Sequence, residues 1–162
     1  MCLNMRLNKS RQRGLTLIES MVALVVISIG LLGIAALQLT AMQMNSSALH
    51  QSKAVWAGYA MADRIRTNNI RFADYSGIDT NDPYSQDCMS NPCNSGTIVT
   101  ADAAEWADNM RDLPSGRGQV TGNASLLIVT VMWDDEGTGA IGTGCSGNAQ
   151  VDLTCYSVPL VQ

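Results

Sequence analysis

One carboxylate in this chain stands where a carboxylate is costly. Glu19 is the only charged residue in the stretch Leu15 to Leu37, LTLIESMVALVVISIGLLGIAAL. As a helix rising ~1.5 Å per residue the stretch is about 34 Å long, enough to cross a ~30 Å hydrocarbon core. An acid just inside such a span costs on the order of 3 kcal/mol unless it is neutralised or paired. The blander alternative is an acid at the membrane edge that snorkels to water, but the apolar stretch is long enough without it. Ahead of the span, Arg6, Lys9, Arg11 and Arg13 precede Gly14 with no acid among them. That asymmetry follows the positive-inside rule and sets the N-terminus on the cytoplasmic side.

Four of the five cysteines fall as two close pairs, Cys88/Cys93 and Cys145/Cys155, with Cys2 apart from them. After a basic-then-apolar start of the export type, that even count points to disulfides formed in an oxidising compartment. Closing the first loop contributes about 2 kcal/mol. Metal binding is the competing use; neither spacing is Cys-x-x-Cys, and the one histidine, His50, is distant in sequence. His50 reads as a surface residue. Asp134-Asp135-Glu136 reads as the solvated end of a strand rather than a divalent-cation site. No nucleophile–base pair, metal cluster or phosphate-binding loop emerges, so no enzymatic activity, cofactor or metal is expected. The formal charge of −4 becomes −8 once the four leading cations are set aside. An acidic remainder argues against direct nucleic-acid binding.

The elements that position these residues can be read from periodicity. Past Leu37 the sequence stays helix-favouring and free of proline to Arg66, so the helix does not stop where a cleaved secretory signal would. Its apolar residues Leu39, Met42, Leu49, Trp56, Tyr59/Ala60 and Ile65 recur at helical spacing, which predicts a face packed on a domain, with Met44 and Met61 as gap-fillers. Leu15 to Arg66 would extend roughly 78 Å if continuous. Asn68-Asn69 marks the helix end, and residues 70–97 form a polar region holding the first cysteine loop, with a turn at Asn91-Pro92. A short helix is predicted over 102–113, capped by Thr100 or Asp102, with Trp106, Met110 and Leu113 on one face and Pro114 and Gly116 ending it. A short strand is expected over 118–121, a central one over Leu126 to Trp133, and a last one over Val151 to Val158 with Pro159 at an edge.

Arg13-Gly14-Leu15-Thr16-Leu17-Ile18-Glu19-Ser20, followed by an apolar helix, resembles the class III signal of type IV pilins and type II secretion pseudopilins. The family pattern is Gly, usually Phe, then Thr-Leu-x-Glu; here Leu15 replaces Phe with another bulky apolar residue. The resemblance implies that prepilin peptidase cuts between Gly14 and Leu15 on the cytoplasmic face and that Leu15 is N-methylated. The new α-amine would lie four residues before Glu19, and in a bundle it can meet the carboxylate of a neighbouring subunit. Glu19 is then a register pin and a subunit contact. Ser28, Gly30, Gly33, Ala35 and Ala36 allow close helix approach, and the two glycines weaken the helix locally.

Further along, the Cys-x4-Cys loop, the helix with Trp106, Leu113-Pro114-Ser115-Gly116-Arg117-Gly118-Gln119-Val120 and Val129 through Asp135 are similar to the minor pilin PilV family. The implied fold is α+β, a pilin lollipop with one long N-terminal helix on a small antiparallel sheet. In type IV pilins a disulfide-closed region near the C-terminus occupies the place of Cys145–Cys155. The implied organisation is a cleaved leader over 1–14, a membrane and filament-core helix over 15–37, its amphipathic continuation over 38–69 and a globular domain over 70–162. The implied function is that of a minor pilin in pilus assembly and priming, near the fibre tip, affecting adhesion or motility. The alternative is a minor pseudopilin of type II secretion. The implied partners are prepilin peptidase, other major and minor pilins and the inner-membrane assembly machinery. The implied location is the inner membrane with a periplasmic C-terminal domain, then the fibre.

Overall fold

The computed structural model describes residues 16–88, 90 and 92–162. Helix α1 spans Leu17–Thr67, and the chain divides into two compact units, Met1–Gln43 and Met44–Gln162. In the first unit the described chain is essentially α1, and every residue from Thr16 to Gln43 is exposed. No proline interrupts it, and its hydroxyls are satisfied by its own backbone. Ser20 Oγ donates to the Leu17 carbonyl (2.9 Å), Ser28 Oγ to that of Leu24 (2.7 Å) and Thr40 Oγ1 to that of Ala36 (3.2 Å). This helix is long and apolar enough to cross a membrane.

The second unit is α+β. The rest of α1, a 3-10 turn over Asn69–Tyr75 and helix α2 over Ser95–Met110 pack on a three-stranded antiparallel sheet. Strands β1 (Arg117–Gly122), β2 (Leu126–Trp133) and β3 (Thr154–Val161) stand in the order β1-β2-β3. Val129 faces Val120 on one side and Val158 on the other. The pleat sends Leu127, Val129, Val131 and Trp133 to one face, where they join Val120, Val158 and Leu160 in a single core. Arg64 and Arg66 in the last turn of α1 suit its negative end.

The sequence correctly gives the α+β class, the end of α1 and the central strand. The face of α1 needs correcting. The buried residues are Ala54, Ala57, Gly58, Met61, Ala62 and Ile65, whereas Leu49 and Trp56 are exposed, Trp56 at 67%. Two apolar stripes lie on opposite sides of this helix, and the one with small residues wins. A Cβ on Gly58 would sit 3.4 Å from the Tyr156 ring, so the backbone runs close to β3. Bulky Trp56 could not be accommodated there.

Helix α2 also begins earlier than periodicity suggests. Asn94 caps it by accepting from the Gly96 and Thr97 amides (both 2.9 Å), while Thr97 Oγ1 accepts from the Asn94 amide (2.8 Å). This is a capping box, obscured in the sequence by Gly96 and the β-branched Thr97-Ile98-Val99. Asp102 is therefore inside the helix. Strand β3 starts three residues later than expected, because Val151 to Leu153 are taken by the preceding loop: the Gly142 amide donates to the Val151 carbonyl (3.0 Å) and the Leu153 amide to that of Gly142 (2.9 Å).

Candidate assembly site and the networks that brace the domain

Glu19 lies in the first turn of α1, where the exposed backbone N–H groups favour an anion. Its carboxylate has no hydrogen-bond or ion-pair partner among the described residues, unlike Ser20 and Ser28 of the same apolar stretch. Gly30 and Gly33 have open space where a side chain would be. Gly14 and Leu15 lie outside the described residues.

In the second unit charges are committed to one another. Each arginine among the described residues meets a carboxylate: Arg64 meets Asp102 and Glu105, Arg66 meets Asp63, Arg71 meets Asp74, Arg111 meets Asp108 and Arg117 meets Asp79. The densest network is buried. Asp102 accepts from Arg64 Nη1 (3.0 Å) and from the Tyr75 hydroxyl, which also accepts from Asn68 Nδ2 (3.2 Å). Burial, then the bond to Asp102, pushes the Tyr75 phenol well above its ordinary range. One carboxylate thus ties α1, the 3-10 turn and α2 together.

Asp134-Asp135-Glu136 is not a uniformly solvated strand end. Asp134 is buried and accepts from the Thr138 (3.0 Å) and Gly139 (2.8 Å) amides, which folds the glycine-rich loop back on itself. Asp135 accepts from Ser47 Oγ and from Trp133 Nε1 (3.0 Å), and its Oδ1 lies 3.6 Å from His50 Nδ1. Burial raises the Asp135 carboxyl, but Ser47, Trp133 and His50 together hold it below the usual carboxylate range. His50 is accordingly half-buried beside an acid, not a plain surface residue. Asp135 stands 85 residues along the chain from His50, so nothing local reveals the contact.

Asp79 was also not singled out by sequence. It accepts from Arg117 Nε (3.0 Å), Arg117 Nη2, Gln119 Nε2 (2.8 Å) and the Asn81 amide (3.0 Å). Burial opposes ionisation, yet these donors prevail and hold the carboxyl at about 2. A carboxyl depressed on folding stabilises above its unfolded value, about 4, and loses that contribution as pH falls towards about 2. Arg117→Ala should therefore flatten the fall in melting temperature between pH 4 and pH 2 relative to the parent, as scanning calorimetry at the two ends of that window would measure.

Both cysteine pairs are joined. Cys88 and Cys93 form one disulfide with Cα atoms 5.4 Å apart, and Cys145 and Cys155 form the other at 5.6 Å. The second pins the glycine-rich loop to the start of β3. Among the described residues no group of His, Cys, Asp and Glu is arranged to hold a metal.

Residues 9–35 match the family described as the prokaryotic N-terminal methylation motif, and residues 36–104 match type IV pilin Tt1218. The chain is a type IV pilin-like protein. No curated protein and no solved structure matches it. As a type IV pilin-like protein carrying the methylation motif, it enters the pilus assembly context through processing by prepilin peptidase. The two matches leave residues 105–162 uncovered, which include all three strands and the Cys145–Cys155 disulfide.

In this type IV pilin-like protein the run from Leu113 to Val120 has a packing reason. A Cβ on Gly116 would fall 2.0 Å from the Met110 carbonyl oxygen, and one on Gly118 would fall 2.5 Å from the Trp106 ring. Both glycines allow β1 to lie against α2.

Proposed function

We propose that this protein is a minor subunit of the type IV pilus of the PilV kind, a structural component that takes part in pilus assembly and priming. The observation that carries the reading is Glu19, an acid in an otherwise apolar stretch with no partner among the described residues. Residues 1–14 are a leader, residues 15–37 the membrane and filament-core helix, residues 38–69 its amphipathic continuation and residues 70–162 the globular domain. Prepilin peptidase cuts between Gly14 and Leu15, and Leu15 is N-methylated. The subunit waits in the inner membrane with its C-terminal domain in the periplasm. It then joins other pilins through the N-terminal helix and takes a place near the fibre tip, where it affects adhesion or motility. The resemblance of the runs Leu113 to Val120 and Val129 to Asp135 supports the PilV kind, and the first holds two glycines, Gly116 and Gly118, that α2 leaves no room to replace.

Intact-mass measurement of the protein purified from cells tests the processing step. The expected product begins at N-methylated Leu15. A product that retains residues 1–14 would overturn the pilus assignment and leave a tethered export domain.

A further inference from the structure

The sheet has two edges, and they are treated differently. On the outer edge of β1 the segment 76–80 takes up the backbone groups: the Gly77 amide donates to the Val120 carbonyl (2.8 Å), the Val120 amide to that of Ile78 (2.9 Å) and the Thr80 amide to that of Gly118 (2.9 Å). The Gly118 amide donates to Thr80 Oγ1 (2.8 Å) and Ser76 Oγ donates to the Gly122 carbonyl (2.8 Å). That edge is covered. Among the described residues strand β3 pairs only with β2. In an antiparallel pair the bonded couples alternate. The Gln162 amide donates to the Ser125 carbonyl (3.3 Å), one step beyond the Leu126–Val161 couple. Leu160, Val158, Tyr156 and Thr154 therefore turn their backbone groups to β2, and Cys155, Ser157, Pro159 and Val161 turn theirs outward. No backbone bond on that side is made among the described residues, and Ser157, Pro159 and Val161 are exposed, Val161 at 79%.

An open edge of this kind is a template for another strand. This one carries no charge from Leu153 to Gln162 and is rich in Val, Leu, Tyr and Thr, the composition that makes exposed segments pair with one another. Two copies would meet without repulsion, in a two-fold antiparallel pairing. Centred at residue 158 or at 159, that pairing uses the outward amide of residue 159 once from each copy. Proline has no amide hydrogen to give, and its ring occupies the path of the incoming carbonyl. The loop pinned by Cys145–Cys155 stands at the other end of the strand.

We propose that Pro159 guards the open edge of β3 against pairing with β3 of a second copy of this chain. The guard matters most while chains are confined side by side in a bilayer. The test uses the full chain in detergent micelles, comparing the parent with Pro159→Val by sedimentation over a concentration series and by hydrogen exchange. The variant is expected to self-associate on the order of tenfold more tightly, as two regained hydrogen bonds imply, with the outward amides of residues 157, 159 and 161 protected only at high concentration. Adding Val161→Lys, a charge on the exposed end of the edge, should return the variant to parental behaviour. Unchanged association in Pro159→Val overturns the guard. So does association that leaves the outward amides of 157, 159 and 161 unprotected or that persists with Val161→Lys, because it then arises from unfolding or from the span.

Discussion

Glu19→Ala is expected to leave cleavage between Gly14 and Leu15 intact and to reduce the subunit in sheared fibres by on the order of a hundredfold, since removing one member of a buried charge pair strands the other at a cost of about 3–5 kcal/mol. The stranded member would be the α-amine that cleavage frees at Leu15. Among the described residues the Glu19 carboxylate has no partner, while Ser20 and Ser28 satisfy themselves on their own helix. The proposed counter-charge is the Leu15 amine of a neighbouring subunit. Glu19→Gln keeps the size and one acceptor and should lose less. Immunoblots of cell-bound and fibre fractions, read with the mature mass, separate a processing defect from a docking defect. Normal amounts of Glu19→Ala in fibres would eliminate the register pin.

The largest loss of stability should come from Trp106→Ala. Trp106 is 1% exposed, donates its Nε1 proton to the Ala57 carbonyl (3.1 Å) and lies under Gly118. Its removal opens a cavity where α1, α2 and β1 meet. Truncating a buried tryptophan costs about 3–5 kcal/mol, which for a domain of this size lowers the melting temperature by roughly 15 °C or more. Trp106→Phe keeps most of the volume and should cost far less, because the Ala57 carbonyl still faces its own helix amide. Trp56→Ala is the contrast. That ring is exposed, so its loss should shift stability by less than about 0.5 kcal/mol. Thermal unfolding by circular dichroism ranks the three, and equal melting points for Trp56→Ala and Trp106→Ala would contradict the packing described above.

What could be read from the sequence follows from how local each signal is. The apolar span, the uncharged β2 run and the helix end at Asn68 depend on neighbours in the chain, and the structure agrees with them. The packing face of α1 does not, because two apolar stripes compete and only the sheet's need for a close backbone selects the one with Ala54, Ala57 and Gly58. The braces at Asp79, Asp102 and Asp135 were illegible for a similar reason: their partners come from distant segments, and a lone Asp in a polar stretch looks like any other. The α2 capping box, by contrast, was available as Asn94-x-x-Thr97 and was outweighed by poor helix formers beside it. At Glu19 the type of residue and its surroundings were enough to single it out, and the structure adds that no described residue answers it.

The bond from Ser47 to Asp135 has a mechanical consequence. Ser47 is the first residue of α1 that is not fully exposed, and Asp135 stands two residues past the end of the central strand. A pull along the helix is thus handed first to β2, which has a neighbouring strand on either side, and not to the weaker margins of the sheet. Tension entering there reaches both hydrogen-bonded ladders of the sheet at once, where a pull on β3 would reach one.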